Sequence, residues 1–532
     1  MSKKTLGIML DCSRNAVMKP EQVMEFANLA AGMGYNMLML YTEDTYELEG
    51  DPYFGYMRGR YTREELRAID THCQNIGMEL IPCIQVLAHM NQLKYMDDYS
   101  LMYDCNDILM VGEERVYQLI NKMFDTLEAC FTTRRAHIGM DEAFLLGGGK
   151  YLQKNGYRDR FEILTEHLNR VREIAANHGF TVMMWGDMFM RLLNKGEYYK
   201  DGMEVPQEVR DIVPKDVELV YWDYSSKEKS HYDNMMAAHK AFGNPVTFAG
   251  GVWTFTGYFP SLQYSLETTK AALASAREHG IDSVFITMWG DFGKDCSFYA
   301  ALPVLFAAAQ MFEGNNDMED IAQKFYAYTG YQFEEFMALD LPNIVADEDS
   351  HCGNPHKYFL YNDPFIGLMD PHVTDGLAER YKKALEIAPK PNGRKYDYIF
   401  DLEQKMLKML MRKCDLGIRL RAAYKAKDMQ VLQKIHDEDF VILNQDIRAV
   451  HKCVRDLWLR ENKAFGLEVQ EAQFGGILLR MESCAERLAD YIAGKTDHIE
   501  ELEAEQIPLW RGFEKKAVTY NCYRLIATTN VF

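Results

Sequence analysis

The chain has 532 residues, 48% hydrophobic and 26% charged, with only 15 prolines. That is the make-up of a globular protein with room for one large α/β domain and a further one. A formal net charge of −20 excludes a general nucleic-acid binder and a protein held to an anionic membrane by charge, since both need a basic surface.

The first apolar run, Leu6–Leu10, stops at Asp11. It is too short for a secretory signal, and no run approaches membrane-spanning length. Eleven cysteines, scattered and without a CxxC pair, fit reduced thiols better than a disulfide framework. A cytoplasmic location is the expectation.

In chain order, eight runs read as strands: Leu6–Asp11, Asn36–Glu43, Leu80–Val86, Ala136–Asp141, Thr181–Asp187, Val217–Tyr224, Val246–Trp253 and Ser283–Asp291. Most are nearly unbroken apolar stretches, as strands buried on both faces require. Amphipathic segments fall between them, at Glu21–Met33, Arg63–Gly77, Val116–Cys130, Arg160–His178, Leu262–His279 and Ser297–Phe312. Strand–helix alternation repeated eight times predicts a (β/α)8 TIM barrel, an α/β fold, over residues 1–315. An open doubly wound sheet alternates in the same way. The positions of Asp11, Glu43, Asp141, Asp187, Asp223, Trp253 and Asp291 decide between them. All stand at C-terminal strand ends, which only a barrel gathers at one mouth.

Residues 316–374 form a connecting segment, rich in Pro, Asn and Asp from Pro342 to Asp375. From 375 to 532 the pattern is helical. Ile399, Leu402, Met406 and Leu410 step by three and four, as do Leu443, Ile447, Val450, Val454 and Leu457. Such stripes mark helices with one apolar face. An all-α C-terminal domain is expected, its stripes covered by the barrel or across a homodimer interface.

The chemistry concentrates on Asp141–Glu142. Neighbouring side chains in a strand face opposite ways, so both acids reach one ligand only where the strand breaks, and Gly147-Gly-Gly149 follows closely. One carboxylate raises the pKa of the other by about one to two units, which keeps one proton available near neutral pH. Alone, an Asp-Glu pair is most often a solvated loop.

The surrounding motifs resemble those of glycoside hydrolase family 20, the β-N-acetylhexosaminidases. His137-Ile-Gly139-Met140-Asp141-Glu142 is similar to the family's His-x-Gly-Gly-Asp-Glu, with Met140 at the second glycine. Asp11-Cys-Ser-Arg14 resembles Asp-x-x-Arg. Pro82-Cys-Ile-Gln85-Val-Leu-Ala-His89 resembles Pro-Glu-Ile-Asp-x-Pro-Gly-His, with Gln85 at the acid position. Trp289-Gly-Asp291 resembles Trp-x-Glu, with the shorter acid. Tyr221-Trp222-Asp223 matches a Tyr-x-Asp element, and Tyr224 is the competing tyrosine.

The resemblance covers the barrel and implies a retaining exo-β-N-acetylhexosaminidase that removes terminal β-linked GlcNAc or GalNAc from small glycans. It needs no cofactor or metal, and the acetamide of the substrate serves as nucleophile. Glu142 would be the general acid and base, and Asp141 would hold the acetamido N–H. Asp44 and His89 would form a relay tuning Glu142. Arg14, Asp223 and Asp291 would grip sugar hydroxyls, and Tyr221 or Tyr224 the acetamido oxygen. Trp185 and Trp253, with Trp222 and Trp289, would wall the pocket, and His137 would brace the turn. Asp291 leaves room around O4 or O6, which implies tolerance of both epimers.

For each tryptophan the competing role is packing beneath the mouth, and for Arg14 and Asp291 an ion pair. The competing functions are a barrel glycosidase of other sugar specificity and a non-catalytic sugar-binding barrel. Gly147–Tyr151 lacks the spacing of a phosphate loop and reads as a lid. His351-Cys352-Gly-Asn-Pro-His356 lacks the second cluster that a metal site requires.

Overall fold

A computed structural model describes residues 4–345 and 353–531. Eight parallel strands close into a barrel: β1 (Thr5–Asp11), β2 (Met37–Tyr41), β3 (Glu79–Cys83), β4 (Arg135–His137), β5 (Thr181–Trp185), β6 (Glu218–Trp222), β7 (Val246–Gly251) and β8 (Ser283–Met288). Each pairs with its neighbours in sequence, and β8 closes on β1 through partners such as Ile8 and Ile286. The (β/α)8 expectation is met. The strands read as apolar runs because they are buried on both sides; Leu6–Leu10 and Met37–Tyr41 are examples.

The helices between them start and stop on local signals. Pro20 opens α1 (Pro20–Met33), and Gly34, at φ 104°, ends it in a conformation that costs a residue with a Cβ. Thr62 and Glu65 form a capping box at the start of α2 (Arg63–Asn75).

The strands are shorter than the apolar runs. Asp11 closes β1, but Glu43, Asp141, Asp187, Asp223, Trp253 and Asp291 all lie beyond the last residues of their strands. β4 is the extreme case: it contributes three residues and meets β3 at the single pair Cys83–His137. Glu43, Asp141 and Asp223 are therefore loop residues placed by rigid strand ends, and Asp187 opens the short helix Asp187–Leu193.

Contacts divide the chain into two compact units. The first runs to Val252 and takes in Ser265–Trp289 and Val304–Ile321. The second gathers Trp253–Tyr264, Gly290–Pro303 and the chain from Ala322 onward. Its long helices α3 (Asp397–Lys413), α4 (Val441–Glu461) and α5 (Leu467–Ile492) bury the stripes seen in the sequence, including Leu402, Met406, Leu443 and Ile447. Helices also form within 316–374, at Met318–Thr329, Phe333–Met337 and Pro355–Tyr361.

Buried polar pairs tie the two short segments into the second unit. Tyr258 Oη meets Tyr361 Oη at 2.5 Å and donates to Gln470 Oε1 at 2.8 Å. Asp295 pairs with Lys357 at 2.6 Å, both wholly buried. No helix among the described residues is long and apolar enough to cross a membrane.

Candidate active site

β4 ends at His137, and the chain then turns through backbone that few residues adopt: φ is 71° at Gly139, 72° at Met140 and 52° at Glu142. Left-handed non-glycine residues cost free energy and persist where their surroundings over-determine them. Here the constraint is Gln85, wholly buried at the end of β3. Its Nε2 donates to Asp141 Oδ1 at 2.7 Å and to Tyr41 Oη at 3.0 Å, and its Oε1 accepts from Met140 N at 3.2 Å. A side chain at Gly139 would overlap the Gln85 amide, so glycine is required there both for its φ and for this close approach.

Gln85 therefore occupies the position where the resemblance expects an acid, and it serves as a donor to Asp141. His89, itself at φ 62°, supplies the second contact. Its Nε2 stands 3.2 Å from Asp141 Oδ2 and 3.9 Å from Glu142 Oε2, a charge contact rather than a well-aligned hydrogen bond. Burial pulls the His89 pKa down, but the facing Asp141 carboxylate outweighs it and lifts it to about 9. Burial pushes the Asp141 carboxyl up, and His89 and Gln85 together hold it below its ordinary value. Asp141 is thus an anchored carboxylate, whereas the Glu142 side chain is 38% exposed.

The expected relay from Asp44 is not the arrangement found. Arg58 takes Asp44, donating from Nε to Oδ1 at 3.2 Å, and His89 lies against Asp141. Arg58 also donates to the Ser13 carbonyl, so it joins the loops after β1 and β2. Arg14 pairs through Nε with Glu43 Oε1 at 3.1 Å. Burial raises Glu43 to about 7 against the lowering effect of Arg14.

Beneath the acids lies a continuous aromatic floor. Trp185 packs on His137 at 4.3 Å and on Trp289 at 6.0 Å, and Trp289 meets Tyr41 edge-on at 4.8 Å. Trp185 is 1% exposed, so it serves as the floor more than as a wall. His137 Nδ1 accepts from Gly139 N at 3.1 Å, bracing the turn as expected, and burial lowers its pKa to about 3. It stays neutral.

Past β6 the two tyrosines separate. Tyr221 is wholly buried, stacks on His239 at 4.7 Å and donates from Oη to Asp223 Oδ2 at 2.9 Å. Asp223 also receives His231 Nε2 at 2.6 Å and the Ser225 backbone and hydroxyl at 2.9 and 2.8 Å. Asp223 is occupied in holding its own loop, which leaves little of it for a sugar hydroxyl. Trp222 and Tyr224 are partly exposed, 5.8 Å apart, and the Tyr224 ring lies against Gly251 at the end of β7.

Trp253 and Asp291 belong to the second unit. There Trp253 packs on Phe255 at 4.8 Å and Tyr264 at 5.1 Å, and Asp291 opens a 3-10 turn. The glycine run after Glu142 is anchored rather than a loose lid: Gly149 N and Tyr151 N donate to Asp104 Oδ1 at 3.1 and 2.7 Å. His351 and Cys352 lie outside the described residues. His356 is committed elsewhere, accepting from Tyr258 N at 2.9 Å through Nε2.

Asp187 had no role assigned from the sequence, although it stood in phase with the other strand-end acids. Wholly buried, it accepts from Glu142 N and from Arg191 Nε, both at 3.2 Å through Oδ2. Burial, reinforced by the nearby Asp141 charge, raises its pKa to about 7 despite Arg191. It positions the backbone of Glu142.

Residues 6–242 match the model of the glycosyl hydrolase family 20 catalytic domain, and residues 333–520 that of the glycoside hydrolase 20C C-terminal domain. No curated protein matches the chain. Among solved structures it is similar to an exo-β-N-acetylglucosaminidase of Vibrio harveyi in complex with N-acetylglucosamine, at TM-score 0.46 and 16% identity, over 62% of this chain and 58% of that one. It is similar to a β-N-acetylhexosaminidase of Bacteroides fragilis at TM-score 0.48 and 17% identity, over 63% and 71%. A chitobiase of Flavobacterium johnsoniae aligns at TM-score 0.46 and 15% identity, over 93% and 73%. The chain thus spans less than two thirds of the Vibrio enzyme.

Proposed function

The chain belongs to glycoside hydrolase family 20, and on that premise we propose that it is a retaining exo-β-N-acetylhexosaminidase removing terminal β-linked N-acetylglucosamine or N-acetylgalactosamine. The observation that carries this reading is the unequal holding of two adjacent acids: Asp141 buried and kept ionised by His89 and Gln85, Glu142 partly exposed on a strained turn.

Two such groups suit substrate-assisted hydrolysis. Glu142 gives its proton to the glycosidic oxygen as the bond from C1 breaks. The acetamido oxygen of the same sugar forms a new bond to C1, so the intermediate is an oxazolinium ion. Asp141 accepts the acetamido N–H, and its fixed negative charge faces the positive charge that grows there. Water, deprotonated by Glu142, then opens the ring with net retention. Tyr224 suits the acetamido oxygen better than Tyr221, whose hydroxyl is already used by Asp223.

The test is hydrolysis of an aryl β-N-acetylglucosaminide by the wild type and by Glu142→Gln. The variant should lose at least about a hundredfold in kcat, the usual worth of a general acid. Equal turnover by the two would refute the assignment.

A further inference from the structure

Beside Glu142 the first unit holds a cleft of about 440 Å³ whose lining includes Phe144, Tyr157, Arg160, Phe161, Arg191 and Lys195. Its lining is joined to the acid through the Glu142 backbone. Phe144 is two residues past Glu142, and its N–H donates to the Glu142 carbonyl at 2.7 Å. Arg191 is joined to Glu142 N through Asp187, and its guanidinium lies 4.9 Å from the Phe144 ring centre. A general acid must face the glycosidic oxygen, so the departing sugar has to sit on the side of Glu142 away from C1.

The lining is unusual for this chain in two respects. Phe144 and Tyr157 are large rings left 49% and 83% exposed, flat apolar faces of the kind on which a sugar ring packs. The cleft also carries three cations against one acid, Asp159, on a protein of net charge −20. Asp159 is spent capping a helix, accepting from Phe161 N at 2.8 Å. Arg191 shares its charge with Asp187. Among the described residues the Arg160 side chain donates only to the Phe144 carbonyl, at 3.0 Å, and neither Arg160 nor Lys195 meets a carboxylate. Two uncompensated cations beside two open rings match a ligand with an apolar face and a negative substituent.

We propose that this cleft is the leaving-group subsite and that it selects a sugar unit bearing a carboxylate, sulfate or phosphate. The proposal rests on the hexosaminidase reading and adds to it the chemistry of the adjoining unit. Arg160 and Lys195 would meet the anionic group, and Phe144 and Tyr157 the ring face.

The experiment compares kcat/KM for three disaccharides of one linkage: N-acetylglucosamine joined to galactose, to galactose 6-sulfate and to galacturonic acid. In the wild type one or both anionic substrates should be preferred over the neutral one by about tenfold, and the preference should shrink as ionic strength rises. In the double variant Arg160→Met/Lys195→Met the ratio should fall close to one. Because the ratio is taken within one protein, general damage cancels from it. A neutral preference in the wild type, or an anionic preference that survives in the variant, would overturn the proposal. An aryl N-acetylglucosaminide left untouched by the wild type would overturn the hexosaminidase reading and the subsite with it. Turnover of the aryl sugar without any anionic preference would overturn the subsite alone.

Discussion

At the scale of single residues the site is an arrangement of charges held apart by what each side chain touches. Asp141 and His89 shift in opposite directions, as the members of an ion pair should. Gln85 adds a donor without adding charge, which keeps a third carboxylate out of the cluster. Asp187 is different, because its charge is opposed by burial and by Asp141, leaving its pKa near 7 against an ordinary 3.8. A carboxyl raised in the folded state contributes stability that is complete below its unfolded value and is lost as pH rises through the folded one. The window is therefore about pH 4 to 7. Asp187→Asn removes this titration, while Glu43, raised in the same direction, remains in both proteins and drops out of the comparison. Urea unfolding at pH 5 and pH 8 should give a steeper loss for the wild type than for the variant, by up to about 1.4 kcal/mol per pH unit. Parallel losses would mean that Asp187 is already ionised at pH 5.

At the scale of elements the turn after β4 sets two costs against each other. Met140 sits at φ 72°, where a non-glycine residue loses about 1–2 kcal/mol. Its side chain is fully buried, and truncating a buried methionine to alanine costs about 2–5 kcal/mol. Burial wins, so the methionine is tolerated at a position that its backbone assigns to glycine. Met140→Gly should accordingly lower the unfolding free energy by about 1–3 kcal/mol in urea titration, although it restores the residue that the family motif carries; a gain in stability would contradict this balance. The same turn marks how far the sequence was legible. The apolar runs through Asp141 and Trp185 revealed two strands and their phase, and put His137, Asp141 and Trp185 at neighbouring strand ends. They could not reveal that regular strand ends at His137 and that hydrogen bonds to β5 reach only as far as Gly139, since apolar periodicity continues beyond them. Nor could they distinguish Tyr221 from Tyr224. That choice depends on Asp223 turning toward His231 on the following helix, a contact between residues with no shared pattern. Asp44 was misread for a similar reason: its partner Arg58 sits in a loop without periodicity.

At the scale of the whole molecule, the chain does not pass from one unit to the other just once. Trp253–Tyr264 and Gly290–Pro303 lie between barrel strands in sequence but belong to the second unit. Nothing local in these segments discloses that membership, because their partners are far along the chain. Tyr258 bonds Tyr361 and Gln470, and Leu262 N donates to Asp340 at 2.7 Å. Ser297 donates to the buried Glu461 at 2.5 Å, and Asp295 pairs with Lys357. A chain cut after Ile321 would keep both segments and lose every one of these partners. Asp295 would then lack its cation, and breaking one side of a buried ion pair costs about 3–5 kcal/mol. Each further orphaned buried hydrogen-bonding group costs about 1–3 kcal/mol. Together these losses rival the 5–15 kcal/mol that stabilises a typical domain. Residues 1–321, although they contain all eight barrel strands and the acid pair, should therefore give no cooperative transition in calorimetry, whereas the full chain should. A sharp transition and aryl-glycoside turnover from the truncated chain would show that the two segments are dispensable to the barrel.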